Sequence, residues 1–74
     1  DKIINEIFYL WDNMNQKNLT LKANPLIINY FKTGFPSLRI KWWLKHRRWL
    51  SLDLDSNISL TSYEFINGDK QVIS

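Results

Sequence analysis

The sequence contains no cysteine, which excludes disulfide bridges and thiolate metal sites. Histidine occurs once, at His46, so an imidazole metal centre lacks its ligands too and no metal is expected. Glycine and proline appear twice each, too rarely for a low-complexity or collagen-like chain. Long apolar runs are also missing. The longest, Ile7 to Trp11, includes the semi-polar Tyr9 and falls far short of the roughly 18 residues that a membrane helix needs. No signal peptide and no membrane partner are therefore expected. The expected setting is intracellular, in the nucleus or nucleoid if the ligand is DNA. Gly-rich phosphate loops, nucleophile elbows and Ser/His/Asp or Cys/His arrangements are absent. Asp53 and Asp55, two apart on an alternating stretch, fit a solvent face or turn tip better than a catalytic carboxylate pair. The chain is expected not to be an enzyme, and no cofactor or small-molecule substrate is foreseen for so small a core.

The most informative absence is that of acid. Between Asn13 and Leu52 there is no Asp or Glu, while Lys17, Lys22, Lys32, Arg39, Lys41, Lys45, Arg47 and Arg48 contribute +8. The first twelve residues sum to −2 and the last twenty-two to −3, giving the net +3. Five of the eight cations lie between Arg39 and Arg48. A one-sided block of this kind marks a surface for a polyanion, and its ordinary alternative is a solvated Lys-rich face.

What is present is a dense apolar complement. In 74 residues, 45% are hydrophobic and 15% aromatic, including four Trp. That suits one domain, which at this size buries only about 60% of its unfolded surface and relies on tight packing.

Along the chain, Lys2 to Asn15 reads as an amphipathic helix. Ile3, Ile4, Ile7, Phe8, Leu10, Trp11 and Met14 recur at helical spacing, with Asp1 placed as its cap. Leu19 to Lys22 alternates, as a short strand or an extended linker would. Asn24-Pro25 signals a second helix, running to about Thr33, with Leu26, Ile27, Tyr30 and Phe31 as its buried side and Gly34 as its left-handed stop. Phe35-Pro36-Ser37 restarts the chain, and Ser37 to about Leu50 predicts a third helix. One stripe of it carries Ile40, Trp43, Leu44, Arg47 and Leu50; the other carries Arg39, Trp42, Lys45, His46 and Trp49. The rival is a strand, because Leu38, Ile40, Trp42 and Leu44 alternate with cations, but the alternation fails at Trp43, His46 and Arg48. Beyond Leu50, Leu52 and Leu54, a turn at Asp55-Ser56-Asn57, and Ile58 and Leu60 predict a hairpin. A second turn is expected at Asn67-Gly68, followed by a strand or loose tail.

Two helices joined by a short Gly-containing turn form a helix-turn-helix. The stretch from Gly34 to Trp49, GFPSLRIKWWLKHRRW, resembles the turn and recognition helix of a homeodomain. Gly34 and Phe35 stand at the turn, Ile40, Trp43 and Leu44 at the buried positions, and Lys41, Arg47 and Arg48 at the basic ones. His46 occupies the place of the family's adenine-reading Asn, and no basic arm precedes the first helix. The order helix, short strand, two helices, hairpin is similar to the winged-helix family, with Leu19 to Lys22 as first strand and Trp49 to Leu60 as the wing.

The expected fold is thus mainly α: a three-helix helix-turn-helix core over residues 1–50, with residues 51–74 as a hairpin (the winged-helix variant) or loose tail of the same domain. The expected function is nucleic-acid binding in transcription or replication control, with sequence-specific duplex DNA favoured over RNA. The resemblance implies that the third helix enters the major groove. Lys45 would then reach guanine and His46 a base edge, Trp42 and Trp49 would touch thymine methyls or sugars, and Lys41, Arg48 and Arg39 would hold phosphates. Trp11 and Trp43 are assigned to the core, and Arg47 to snorkelling over it. Two alternatives remain open: a protein-interaction module anchored by Trp42 and Trp49, and a small RNA-binding subunit of a larger assembly.

Overall fold

A computed structural model describes residues 2–16, 18–34 and 37–74. Asp1 as a cap, Lys17 in the basic block, and Phe35 and Pro36 at the predicted restart lie outside the described residues. The element order is α1 (Lys2–Asp12), β1 (Asn18–Ala23), α2 (Pro25–Lys32), α3 (Leu38–His46), β2 (Trp49–Leu54) and β3 (Tyr63–Ile66). The three strands form a mixed sheet in the order β2-β1-β3. This overturns the expected mainly α three-helix domain: the molecule is a small α/β domain built around a central strand.

That strand is the segment whose alternation left strand and linker open. Leu19, Leu21 and Ala23 are fully buried, while Asn18, Thr20 and Lys22 between them point to the opposite face. β2 lies parallel to β1, with Leu19 opposite Leu50 and Leu21 opposite Leu52. A parallel neighbour requires a crossover of a dozen or more residues, and α2 and α3 supply it. β3 runs antiparallel on the other side, with Leu21 opposite Phe65 and Lys22 opposite Glu64. The sheet therefore joins residues 63–66 directly to the middle of the predicted helical core.

The expected hairpin between Leu52–Leu54 and Ile58–Leu60 does not form. β1 offers β2 a six-residue register, extended by the Asp55 amide donating to the Ala23 carbonyl at 2.9 Å. The segment that follows is held as a loop. Asp55 Oδ1 accepts from the Asn57 amide at 2.9 Å, and Asn24 Nδ2 donates to the Ile58 carbonyl at 2.9 Å. The final residues are ordered by a turn at Asn67-Gly68. The chain returns along the outer edge of β3, where Ile73 donates to the Phe65 carbonyl at 2.8 Å and Phe65 donates to Ser74 at 3.0 Å.

The helices cover the Leu19–Leu21–Ala23 side. α1 stops at Asp12 rather than Asn15, where Asn15 takes a left-handed φ of 52°. It buries Ile7, Leu10 and Trp11 and leaves Met14 exposed. α2 starts as expected: Asn24 Oδ1 accepts from the Leu26 amide at 3.0 Å, Pro25 fills the first turn, and Gly34 lies at φ 89°. Its buried side differs, being Ile28 and Phe31, while Leu26 and Tyr30 face outward. α1 and β3 are tied through Glu6, whose carboxylate accepts from the Tyr63 hydroxyl at 3.1 Å and from the Ser74 hydroxyl. Tyr63 is held above the ordinary tyrosine pKa by burial first, then by that hydrogen bond and the Glu6 charge. No helix among the described residues is long and apolar enough to cross a membrane.

Candidate nucleic-acid interface

The third helix is shorter than its sequence pattern suggests, and it is turned the other way. Ser37 caps it, its Oγ accepting from the Ile40 amide at 3.4 Å. It ends at His46 because Arg47 adopts a left-handed φ of 57° and Trp49 begins β2. Extending the helix to Leu50 would forfeit the pairing of β2 with β1 and the complete burial of Leu50. Tertiary pairing outweighs the local helical pattern here.

The inward residue of α3 is Trp42, not Trp43. The Trp42 ring lies 5.3 Å from Phe8, 5.6 Å from Trp11 and 5.9 Å from Phe31, the first two edge-on, at only 8% exposure. Edge-to-face packing of this kind adds about 0.5–1.5 kcal/mol per pair to the burial itself. Trp42, expected as a nucleic-acid contact or a partner anchor, is instead part of the core. Trp43, expected in the core, is 44% exposed, and Ile40 and Leu44 share its outward row. Arg47 belongs to that row too, with its guanidinium carbon 5.2 Å from the centre of the Trp43 ring.

Two other expected site residues meet where the helix passes β2. The Arg39 guanidinium carbon is 4.6 Å from the centre of the Trp49 ring, and its Nη1 donates to the Leu50 carbonyl at 3.2 Å. Burial lowers the Arg39 pKa from its usual range. Its Nε is buried with no hydrogen-bond partner among the described residues, so part of this side chain is held out of water without compensation. Trp49 remains 41% exposed.

The remaining expected contacts are spread around this pair of stacks. Lys41 and Lys45 are exposed and Arg48 is half-buried. His46 is exposed at the seam with α1, its ring 5.4 Å from Phe8 and edge-on to it, a placement set by packing as much as by any ligand. The single ion pair among the described residues joins Lys22 to Asp55 at 3.8 Å, so none of the α3 cations is neutralised by a described carboxylate. Lys45 also complements the negative end of the helix, which is the ordinary structural role for a cation there.

Arg39, Lys41, Lys45, Arg48 and Trp49 thus remain in the exposed or half-buried set. Trp42 leaves it, and Trp43 and Arg47 join it. The signal for the exchange was present in the sequence: a stripe that includes Arg47 is a poor candidate for the buried side of so short a helix. The chain matches no protein-family model, no curated protein and no solved structure. The homeodomain resemblance accordingly rests on the residues that carry it.

Proposed function

We propose that this chain is a nucleic-acid-binding domain that grips single-stranded or unpaired regions through α3 and the start of β2. One observation carries this: two exposed tryptophans, Trp43 on α3 and Trp49 at the start of β2, each have an arginine stacked over the ring, and the cations from Arg39 to Arg48 have no described carboxylate partner. An exposed indole offers a flat face to any base, and stacking of this kind contributes about 1–3 kcal/mol per base. Guanidinium groups beside the rings serve both as phosphate ligands and as stacking planes.

The outward row of α3 favours unpaired bases over duplex edges. Ile40, Trp43 and Leu44 stand where a major-groove helix places its readers, and among them only the indole N–H is a hydrogen-bond donor. Reading base edges in a duplex depends on donors and acceptors at those positions. The duplex-reading expectation therefore gives way to a stacking surface flanked by Arg39, Lys41, Lys45, Arg47 and Arg48.

The test is a titration of labelled single strands and of the matching duplex across a salt series. With five cations engaged, log affinity for single strands is expected to fall against log salt with a slope of about −3.5. Binding should quench tryptophan emission, and the single strand should bind more tightly. Tighter binding of the duplex would overturn the preference for unpaired bases. Absence of salt-dependent binding to either form would overturn nucleic-acid binding altogether.

A further inference from the structure

The face of the sheet opposite the helices is uncovered, and it begins at Trp49. Along β2, Trp49, Ser51 and Asp53 share this face with Asn18, Thr20 and Lys22, their register partners on β1. Successive residues on one face of a strand are about 6.6 Å apart, so the surface continues directly from the Trp49 ring. It leads into an open groove of about 450 Å³ lined by Asn18, Thr20, Ser51, Asp53, Gly68 and Lys70, among others.

The wall made by residues 67–70 is a built loop. Asn67 Oδ1 accepts from the amides of both Asp69 and Gln71 at 2.9 Å, and Lys70 is held at a left-handed φ of 65°. Gly68 lies so close to the sheet that a Cβ there would stand 3.2 Å from Asn18 Cβ. Lys70 is thereby set at the rim, and neither Lys70 nor Asp53 has an ion-pair partner among the described residues. The neighbouring charges are otherwise spoken for or lie beyond the groove: Lys22 pairs with Asp55, Glu64 sits across β1 on the same face, and Asp69 is on the exposed loop.

The cation beside Asp53 in register, Lys22, is engaged by Asp55, and a carboxylate without an ion-pair partner next to a phosphate-binding surface repels the backbone unless it meets a donor. Asp53 is acceptor-only at neutral pH, and the donors a nucleic acid offers in place of phosphate are its bases' amino groups. We infer that this groove is a base-reading subsite, continuous with Trp49, that selects bases carrying an exocyclic amino group. Asp53 accepts from the amino group, the hydroxyls of Ser51 and Thr20 and the amide of Asn18 serve the remaining edge, and Lys70 holds the phosphate. Cytosine and uracil separate this role cleanly. Both are pyrimidines of similar size, but cytosine presents its N4 amino group where uracil presents the O4 acceptor, which Asp53 repels. The inference rests on the nucleic-acid reading above.

The experiment compares twelve-nucleotide oligo(C) and oligo(U) RNA on the full chain and on Asp53→Asn and Lys70→Gln, with thermal melts confirming that each variant folds. The unsubstituted chain is expected to bind oligo(C) about tenfold more tightly than oligo(U). Asp53→Asn, which supplies both a donor and an acceptor, should bring the two within about twofold, mainly by improving oligo(U). Lys70→Gln should weaken both oligomers by the same factor. Equal affinities in the unsubstituted chain, an undiminished preference in Asp53→Asn, or no effect of Lys70→Gln would each overturn the subsite while leaving the α3 surface standing. Failure of both oligomers to bind in a salt-dependent way would instead overturn the nucleic-acid reading and the subsite with it.

Discussion

Trp42 and Trp43 are the same residue at adjacent positions of one short helix, yet one is 8% exposed and the other 44%. Trp42 meets three aromatic rings contributed by α1 and α2. Trp43 meets the guanidinium of Arg47 and solvent. Neighbours on a helix are rotated by about 100°, so a small turn of α3 decides which ring is buried. What settles that turn is the cavity between Phe8, Trp11 and Phe31, which accepts one indole. The inner side of this molecule is therefore an aromatic lock, and the outer side is a surface of rings backed by cations.

The largest effect that tests this contrast is on stability. Trp42→Ala is expected to cost about 3–5 kcal/mol, because it empties the centre of the cluster. Trp43→Ala should stay within roughly 0.5 kcal/mol of the unsubstituted chain while weakening single-strand binding by about 1–3 kcal/mol. Denaturant titration and oligonucleotide binding, run on both variants, measure the two effects side by side. Equal loss of stability would break the distinction between the two rings.

A smaller effect sharpens the picture of the inner side. The Trp11 indole N–H is buried with no partner among the described residues. An orphaned buried donor costs about 1–3 kcal/mol, so removing it offsets part of the lost volume. Trp11→Phe, which removes the N–H together with part of the ring, is expected to cost less than the about 3–5 kcal/mol of Trp42→Ala. A loss as large as that of Trp42→Ala would show that the missing ring volume outweighs the relief of the orphaned donor.

The smallest effect is alkaline. The Tyr63 pKa is raised above its ordinary value of 10.0, with burial as the larger cause and Glu6 as the second. In the folded chain the hydroxyl keeps its proton to higher pH than in the unfolded chain. The contribution is therefore fully present below about pH 10 and is lost as pH rises through the folded-state pKa. Melting temperature measured from pH 8 to pH 11 should decline less steeply for Tyr63→Phe than for the unsubstituted chain. Parallel declines would remove Tyr63 from the account of how α1 is tied to β3.

Parts of this structure are plain in the residues themselves. Asn24-Pro25 and Gly34 bracket α2 through chemistry that operates within a few bonds of the chain. The spacing of Ile7, Leu10 and Trp11 announces α1, and Asn67-Gly68 marks a turn that forms. The acid-free stretch from Asn13 to Leu52 also shows where the positive charge of the chain concentrates. Each of these features is local or additive, and such features survive whatever the rest of the chain does.

Other parts belong to the tertiary structure alone. Leu19 to Lys22 carries too few residues to show that it is the central strand, and the parallel partner of β1 lies some thirty positions away. The segment from Trp49 to Leu54 fits a helix end, a hairpin arm or a parallel strand, and the register offered by β1 chooses among them. The rotation of α3 was decided in the same way, by rings on α1 and α2 that leave room for Trp42. Sequence by itself determined the caps, the turns and the charge of the surface, because those depend on near neighbours. Only the fold decided which residues occupy that surface, because burial is settled by whichever distant elements arrive to pack.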